Sequence, residues 1–260
     1  MSIYNLIKSI LPLNFRIWLR RDAKMLFQRT RARLRGSGPI PPRDLIHLVI
    51  GVYDLKGFLD SGATSADAIR DILKEAGADV ERLGRILDFG CGCGRIMRHW
   101  KGLRGPSLHG TDYNPILVNW CARNLPFAEF KLNSLDGPLP YESNCFDLVY
   151  AYSVFTHLPA PLQSYWVGEM RRVLKPGGFL YVTLHGESCI HWLDEKLQKD
   201  FTMGRFVAIA GEQAGTNYCA AYHPEAYVRG EFSRGFSVEV FRREGARGGS
   251  AQDAYLLKKV

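Results

Sequence analysis

No run of apolar residues in this chain reaches the length of a bilayer, so no membrane-spanning helix is expected. The first residues lack the pattern of a secretory leader. Pro12 and Asn14 interrupt their apolar stretch, and no small-residue cleavage site follows. The cysteines are Cys91, Cys93, Cys121, Cys145, Cys189 and Cys219; they form no C-x-x-C pair and no framework of spacings. That excludes a disulfide scaffold and points to reduced thiols in a cytoplasmic protein. The histidines lack close helical pairing, and Cys91-Gly92-Cys93 is one short loop without a second ligand pair, so no metal site is expected.

What is present suits one α/β domain with a modest addition: 260 residues, 46% of them hydrophobic. The formal charge of +8 is unevenly placed. Residues 1–35 hold nine Lys/Arg against the single acid Asp22, which leaves the rest of the chain with equal numbers of basic and acidic residues. An enzyme of nucleic acid more often carries its basic residues around the active face, so nucleic acid is not the expected partner. Trp18, Met25 and Phe27 stand among the arginines of the arm. The arm is therefore either a peripheral contact for an anionic membrane at the inner face or a surface helix with solvated arginines.

Residues 86–95 organise the remainder. Ile86, Leu87 and Phe89 read as the end of a buried strand; Gly90, Gly92 and Gly94 alternate with two cysteines; Ile96, Met97 and Trp100 resume at a helical period. A strand that passes through bare glycine into a helix offers backbone N–H groups and close approach to a ligand, at the carboxyl edge of a parallel sheet. The dinucleotide spacing G-x-G-x-x-G is missing, because Arg95 holds its sixth position; the pattern is D-x-G-x-G-x-G from Asp88.

Leu108–Thr111 reads as a second strand with Asp112 at its end, where a carboxylate can take two ribose hydroxyls in one plane. Asn114-Pro115 caps the following helix. Phe127–Leu132 is a third strand, Phe146–Tyr152 a fourth, Phe179–Leu184 a fifth and Phe236–Arg242 a sixth; Ala254–Lys258 closes the chain. Between Gly62 and Gly77, Thr64-Ser65-Ala66-Asp67 reads as a capping box ahead of an apolar stripe from Ala68 to Ala76. The apolar 44–62 segment reads either as part of a lid or as core packing.

The motif at 88–94, Asp112, and the run FDLVYAYSVFTHL…LKPGGFLYVTLHG together resemble the class I S-adenosylmethionine-dependent methyltransferases, most of all the bacterial type 11/12 branches. The resemblance covers roughly residues 86–186. It implies an α/β fold: a doubly wound, seven-stranded Rossmann-like sheet, mostly parallel, with the last strand antiparallel and inserted between the fifth and sixth. It also implies S-adenosyl-L-methionine as cofactor. In domain terms the arm is 1–35, a linker and helical cap 36–85, and the catalytic domain 86–260, with a substrate-shaping insertion at 187–218.

By position in the family's motifs, Asp88, Phe89, Gly90, Cys91, Gly92 and Gly94 border the donor, with Asp88 sensing its amino group. Asp112 takes the ribose and Tyr113 lies beside the adenine. Asn133, Ser134 and Leu135 surround the base. An acid is common in the family at Asn133, so the adenine contact departs from the pattern. Tyr152 and Ser153 stand where the methionine end is delivered, and Tyr113, Tyr152 or Trp166 could place a ring against the sulfonium. Cys91 and Cys93 are small, soft neighbours of that sulfur. His157, just beyond the fourth strand, is the first candidate base and His185, at the end of the fifth, the second.

Three functions stay open on these residues. One is methyl transfer to a small-molecule acceptor such as a sugar, a glycan-linked intermediate or a secondary metabolite. Another is an RNA methyltransferase whose phosphate contact is the arm, though no Asn/Asp-Pro-Pro-aromatic motif stands at Ala151–Val154. The third is a cofactor-binding subunit without turnover of its own. Oligomeric state is not encoded in any of these patterns.

Overall fold

The computed structural model describes residues 23, 30, 38–249 and 251–260. Apart from Ala23 and Thr30, the basic arm lies outside the described residues. The chain divides into two compact units, Met1–Leu59 and Asp60–Val260.

In the first unit, helix α1 (Arg43–Ile50) ends at Gly51, whose φ of 71° lets its N–H return to the His47 carbonyl at 2.8 Å. The Arg43 guanidinium lies 4.1 Å over the Tyr53 ring. Helix α2 (Leu55–Glu75) begins here and continues into the second unit. It starts nine residues earlier than the capping-box reading placed it. Thr64 and Ser65 are mid-helix residues whose hydroxyls bond back to the Asp60 and Ser61 carbonyls, 2.9 and 2.8 Å away. A Ser/Thr that donates to the preceding turn satisfies itself inside a helix, so the S/T-x-x-D pattern marked no start. Gly77 ends the helix with φ 75°.

The second unit is built on a seven-stranded sheet: β1 (Arg85–Phe89), β2 (Ser107–Asp112), β3 (Glu129–Leu132), β4 (Phe146–Ala151), β5 (Leu174–Leu184), then β8 (Phe236–Arg242) and β9 (Asp253–Lys259). Helix α3 (Pro115–Asn124) follows β2, capped by the Asn114 side chain on the Ile116 N–H. Helix α4 (Ala160–Val173) follows β4, and α5 (Glu195–Thr202) follows β5. The strand order is β3-β2-β1-β4-β5-β9-β8. The first five run parallel, and β9 is antiparallel to both neighbours, in the place between fifth and sixth that the resemblance implies.

Both faces of this sheet are covered, which explains its near-continuous apolar strands. Successive residues point to opposite sides. Leu87, Val149 and Val182 pack under α4 with Trp166, Met170 and Val173. Ile86, Leu148, Tyr150 and Tyr181 pack under α2 with Ile69, Ile72 and Leu73. The glycine loop leads not into an α-helix but through turns into a single 3-10 turn, Met97–Trp100. Three glycines with φ between 55° and 74° hold residues 90–94 out of helical geometry, and one tight turn is enough to bury Met97 and Trp100.

The insertion after β5 is more ordered than its sequence suggests. It holds α5 and a two-stranded antiparallel hairpin, β6 (Val207–Ile209) with β7 (Ala220–Tyr222). Cys189, Leu193, Phe201, Val207 and Tyr222 form its own small core. Among the described residues, no helix is long and apolar enough to cross a membrane.

Candidate active site

The sheet order reverses between β1 and β4, so a crevice opens outside their carboxyl ends. At its floor the glycine loop is fastened to β2. The N–H groups of Gly90 and Cys91 both donate to the Thr111 carbonyl, at 2.8 and 2.9 Å. That of Gly92 donates to Asp112 Oδ2 at 2.9 Å, and that of Gly94 to the Cys91 carbonyl at 2.9 Å. The loop therefore offers a ligand bare surface rather than unused donors. Gly92, at φ 55°, is in the left-handed region where its N–H meets the carboxylate.

Asp112 Oδ1 accepts a second backbone N–H, from Asn114, at 2.9 Å. Each oxygen thus takes one of these two N–H groups, and a carboxylate so held keeps lone pairs for two adjacent hydroxyls. Burial pushes this carboxyl above its ordinary 3.8, against the three backbone N–H groups that favour its ionised form.

Asp88 is buried in β1, and burial pushes it up to about 7, opposed by a hydrogen bond from Tyr150 and the charge of Arg95. Phe89 turns its ring into the core, 4.7 Å from Trp166. Cys91 and Cys93 are also buried, and the Cys91 and Cys121 thiols both reach the Gly92 carbonyl. The Cys121 contact and burial raise Cys91; burial raises Cys93. These are inert packing thiols.

Tyr152 and Trp166 do not offer their rings to a ligand. Arg95 covers Tyr152 at 4.8 Å, and the Tyr152 hydroxyl donates to the Arg247 carbonyl at 3.0 Å. Arg95 also donates to Ser61 and Ser65, tying α2 to the loop. Trp166 is buried with its N–H on the Leu135 carbonyl. Tyr113 remains half exposed. Asn133 accepts from the Thr111 hydroxyl at 2.7 Å and donates to the Ser134 carbonyl at 2.7 Å, so its amide is set by its own neighbourhood.

The insertion crosses this edge. Gly215 accepts from the Tyr113 hydroxyl at 2.9 Å and donates its N–H to the His157 carbonyl at 2.8 Å, and a Cβ there would come within 2.9 Å of Leu135. Tyr113, Leu135 and His157 follow three different strands, so residues 211–219 form a strap over the end of the sheet.

Both candidate histidines are fixed by the hairpin. His157 Nδ1 lies 2.8 Å from the Cys219 carbonyl and His185 Nδ1 3.1 Å from that of Ala221. A carbonyl only accepts, so each Nδ1 carries the proton and each Nε2 the lone pair. His157 Nε2 makes no hydrogen bond among the described residues. Burial lowers His157 below 6.5, and it lowers His185 to about 4 with help from the nearby His157. Burial, with the nearby His185, also lowers His223 well below its ordinary value.

The sequence pointed to Ser153 but not to Thr183 and Gln252, the polar partners that stand with it between the two candidate histidines. Ser153, at φ 58°, donates its N–H to Thr183 Oγ1 at 2.7 Å. Gln252 accepts from that hydroxyl and donates to Ser153 Oγ. One signal was available: an antiparallel strand inserted beside β5 brings its first residues to the carboxyl end of β5, and Leu184 does face Asp253.

Fold and loop thus define a Rossmann-like α/β domain shaped for a ribosyl ligand. The methyltransferase domain family matches residues 87–182. Among curated proteins the chain is similar to the sterol 24-C-methyltransferase of Schizosaccharomyces pombe, 36% identical over 99 residues, which are 36% of this chain and 26% of that protein. It is also similar to the malonyl-[acyl-carrier protein] O-methyltransferase of Yersinia pestis, 24% identical over 173 residues, 63% of this chain and 60% of that one. The chain therefore spans less than two thirds of either relative. A solved S-adenosylmethionine-dependent methyltransferase of Methanosarcina mazei superposes with a TM-score of 0.51 at 24% identity, over 69% of this chain and 93% of that one, and shares the fold. Residues 87–182 carry a class I S-adenosylmethionine-dependent methyltransferase domain, and S-adenosyl-L-methionine is its cofactor.

Proposed function

We propose that this protein transfers the methyl group of S-adenosylmethionine to a hydroxyl or amine of a small-molecule acceptor (a sugar, a glycan-linked intermediate or a secondary metabolite), with His157 as general base. The observation that carries this reading is the His157–Cys219 hydrogen bond, which leaves Nε2 as the proton acceptor on a half-buried ring. When bound, the cofactor supplies a methyl group activated by a positively charged sulfur. The chain's own work is to grip the ribose with Asp112, to hold the acceptor in line, and to remove its proton at His157 Nε2. The lowered proton affinity of His157 keeps that nitrogen free at neutral pH.

The similarity to one C- and one O-methyltransferase supports a shared donor half and leaves the acceptor to this chain's own insertion. Residues 187–218 and the strand β7 form the acceptor wall in this reading. Incubation of the purified chain with S-adenosylmethionine and fractionated small-molecule extracts should yield S-adenosylhomocysteine and a methylated product. His157→Ala should slow it by roughly 10²–10⁴-fold. No turnover in any fraction, or full turnover in the variant, sinks the corresponding half of the proposal.

A further inference from the structure

Two histidines of one tautomer stand at this edge, and the methyl-transfer reading uses only one. The difference between them is made by Gln252, which is buried just ahead of β9. The orientation of its amide is settled by its neighbours. Thr183 Oγ1 already accepts the Ser153 N–H, so its own proton goes to Gln252 Oε1, 2.7 Å away. The amide NH2 must then face the other way, and there it meets two acceptors: Ser153 Oγ at 2.8 Å and His185 Nε2 at 3.4 Å.

Each contact has a consequence. His185 has its proton on Nδ1, so its lone pair at Nε2 receives the Gln252 N–H and is covered. Ser153 holds a left-handed conformation, and its Oγ lies 3.2 Å from Thr156 Oγ1, in the turn Phe155–His157 that carries the candidate base. An amide that donates to Ser153 therefore braces the turn under His157.

We propose that Gln252 is a positioning residue: through its amide it occupies His185 Nε2 and braces the Ser153–His157 turn, so that His157 and not His185 takes the acceptor's proton. This rests on the methyl-transfer reading for its purpose, but its structural content is measurable without turnover. Nitrogen NMR of histidine-labelled protein, saturated with S-adenosylhomocysteine, should show His185 as the neutral Nδ1–H form throughout pH 5.5–8. Finding the proton on Nε2 overturns the proposal and requires no variant.

Gln252→Glu keeps the shape and the acceptor facing Thr183 but replaces the NH2 with a second acceptor. His185 Nε2 should then bind a proton at least about tenfold more tightly and titrate at higher pH. With the acceptor found in the turnover assay, kcat should fall at least about tenfold and its acid limb should move, while KM for S-adenosylmethionine stays within about twofold. An unchanged His185 titration in this variant overturns the inference even if the enzyme turns over. An altered titration with absent wild-type turnover instead sinks the methyl-transfer reading alone.

Discussion

Asp88 faces Tyr150 directly across the β1–β4 pair, and the Tyr150 hydroxyl is hydrogen-bonded to its carboxyl while accepting the Trp100 N–H at 3.1 Å. The phenol's own proton is thereby directed at Asp88. Even so, burial dominates and pushes the acid up to about 7, so near neutrality it is half protonated. If the donor's ammonium group is sensed here, binding favours the ionised carboxyl and releases a proton. Affinity for S-adenosylhomocysteine should then rise as pH increases towards about 7 and level off above it, by about tenfold from pH 6. Calorimetry in two buffers of different protonation heat reads this directly, and Asp88→Asn should flatten it. Equal affinity at pH 5.5 and 8 in the unmodified protein would refute the assignment.

Asp112 holds the glycine loop through the Gly92 N–H, and if it also grips the ligand's sugar, Asp112→Asn tests both roles. One carboxylate oxygen becomes an NH2 that faces either the Gly92 or the Asn114 N–H. Affinity for S-adenosylhomocysteine should drop roughly 10–100-fold, in line with about 1.5–3 kcal/mol for hydrogen bonds to a charged group. Undiminished binding in calorimetry would remove Asp112 from the site.

These two acids were legible in the sequence because each ends a strand whose apolar run is plain, and register then fixes where they lie. The strand order was legible for the same reason, since the blocks around Gly90 and Pro176 carry the family resemblance. The α2 start was not. Serine and threonine inside a helix and at its cap carry the same letters, and only the partner of the hydroxyl tells them apart. Gln252, Gly215 and Cys219 were hidden for another reason. They act through backbone carbonyls or across more than sixty residues of chain, as with Gly215 on Tyr113 and Gln252 on Thr183, and such contacts leave no local pattern.

The three histidines at this edge each make the fold sensitive to acid. Burial lowers His157, His185 and His223 below 6.5, so between those values and 6.5 the unfolded chain binds more protons than the folded one. Their share of stability should be flat above pH 6.5 and fall as pH drops through that value, while Asp88 and Asp253, whose carboxyls burial raises to about 7 and about 6, bind protons first in the fold and contribute in the opposite direction. His185, at about 4 when folded, accounts for up to about 3 kcal/mol of the loss by pH 4. Urea unfolding at pH 7.5 and pH 5 of the unmodified chain and of His185→Asn isolates that share, and the unmodified chain should lose more stability, or gain less, on acidification than the variant. The same pH dependence in both chains contradicts the burial of a neutral His185 ring.

The arm of residues 1–35 carries all of the net charge, and its sequence suits an anionic surface. Vesicles containing phosphatidylserine should bind the full chain and release it as salt is raised, while a chain lacking residues 1–35 stays in solution. Equal sedimentation of the two with the vesicles would discard the membrane role.

The strap makes the last prediction, because both backbone groups of Gly215 are spent on it. Its carbonyl holds the Tyr113 hydroxyl and its N–H holds the His157 carbonyl, so the strap is fixed to the residues that follow β2 and β4. Tyr113→Phe deletes one of the two bonds, at a half-exposed ring, and should cost at most about 1 kcal/mol. Gly215→Ala is the harsher change. It places a side chain at φ 80° and sets its Cβ within 2.9 Å of Leu135 and 3.2 Å of Tyr113. If residues 211–219 cover the bound nucleoside, both variants should speed hydrogen exchange in the strap and release of S-adenosylhomocysteine, with Gly215→Ala the faster. Because Gly215 also holds the turn that bears His157, that variant should lose turnover as well, whereas Tyr113→Phe keeps it. Release rates that do not follow strap exchange across the pair would show that the nucleoside leaves by a path the strap does not cover.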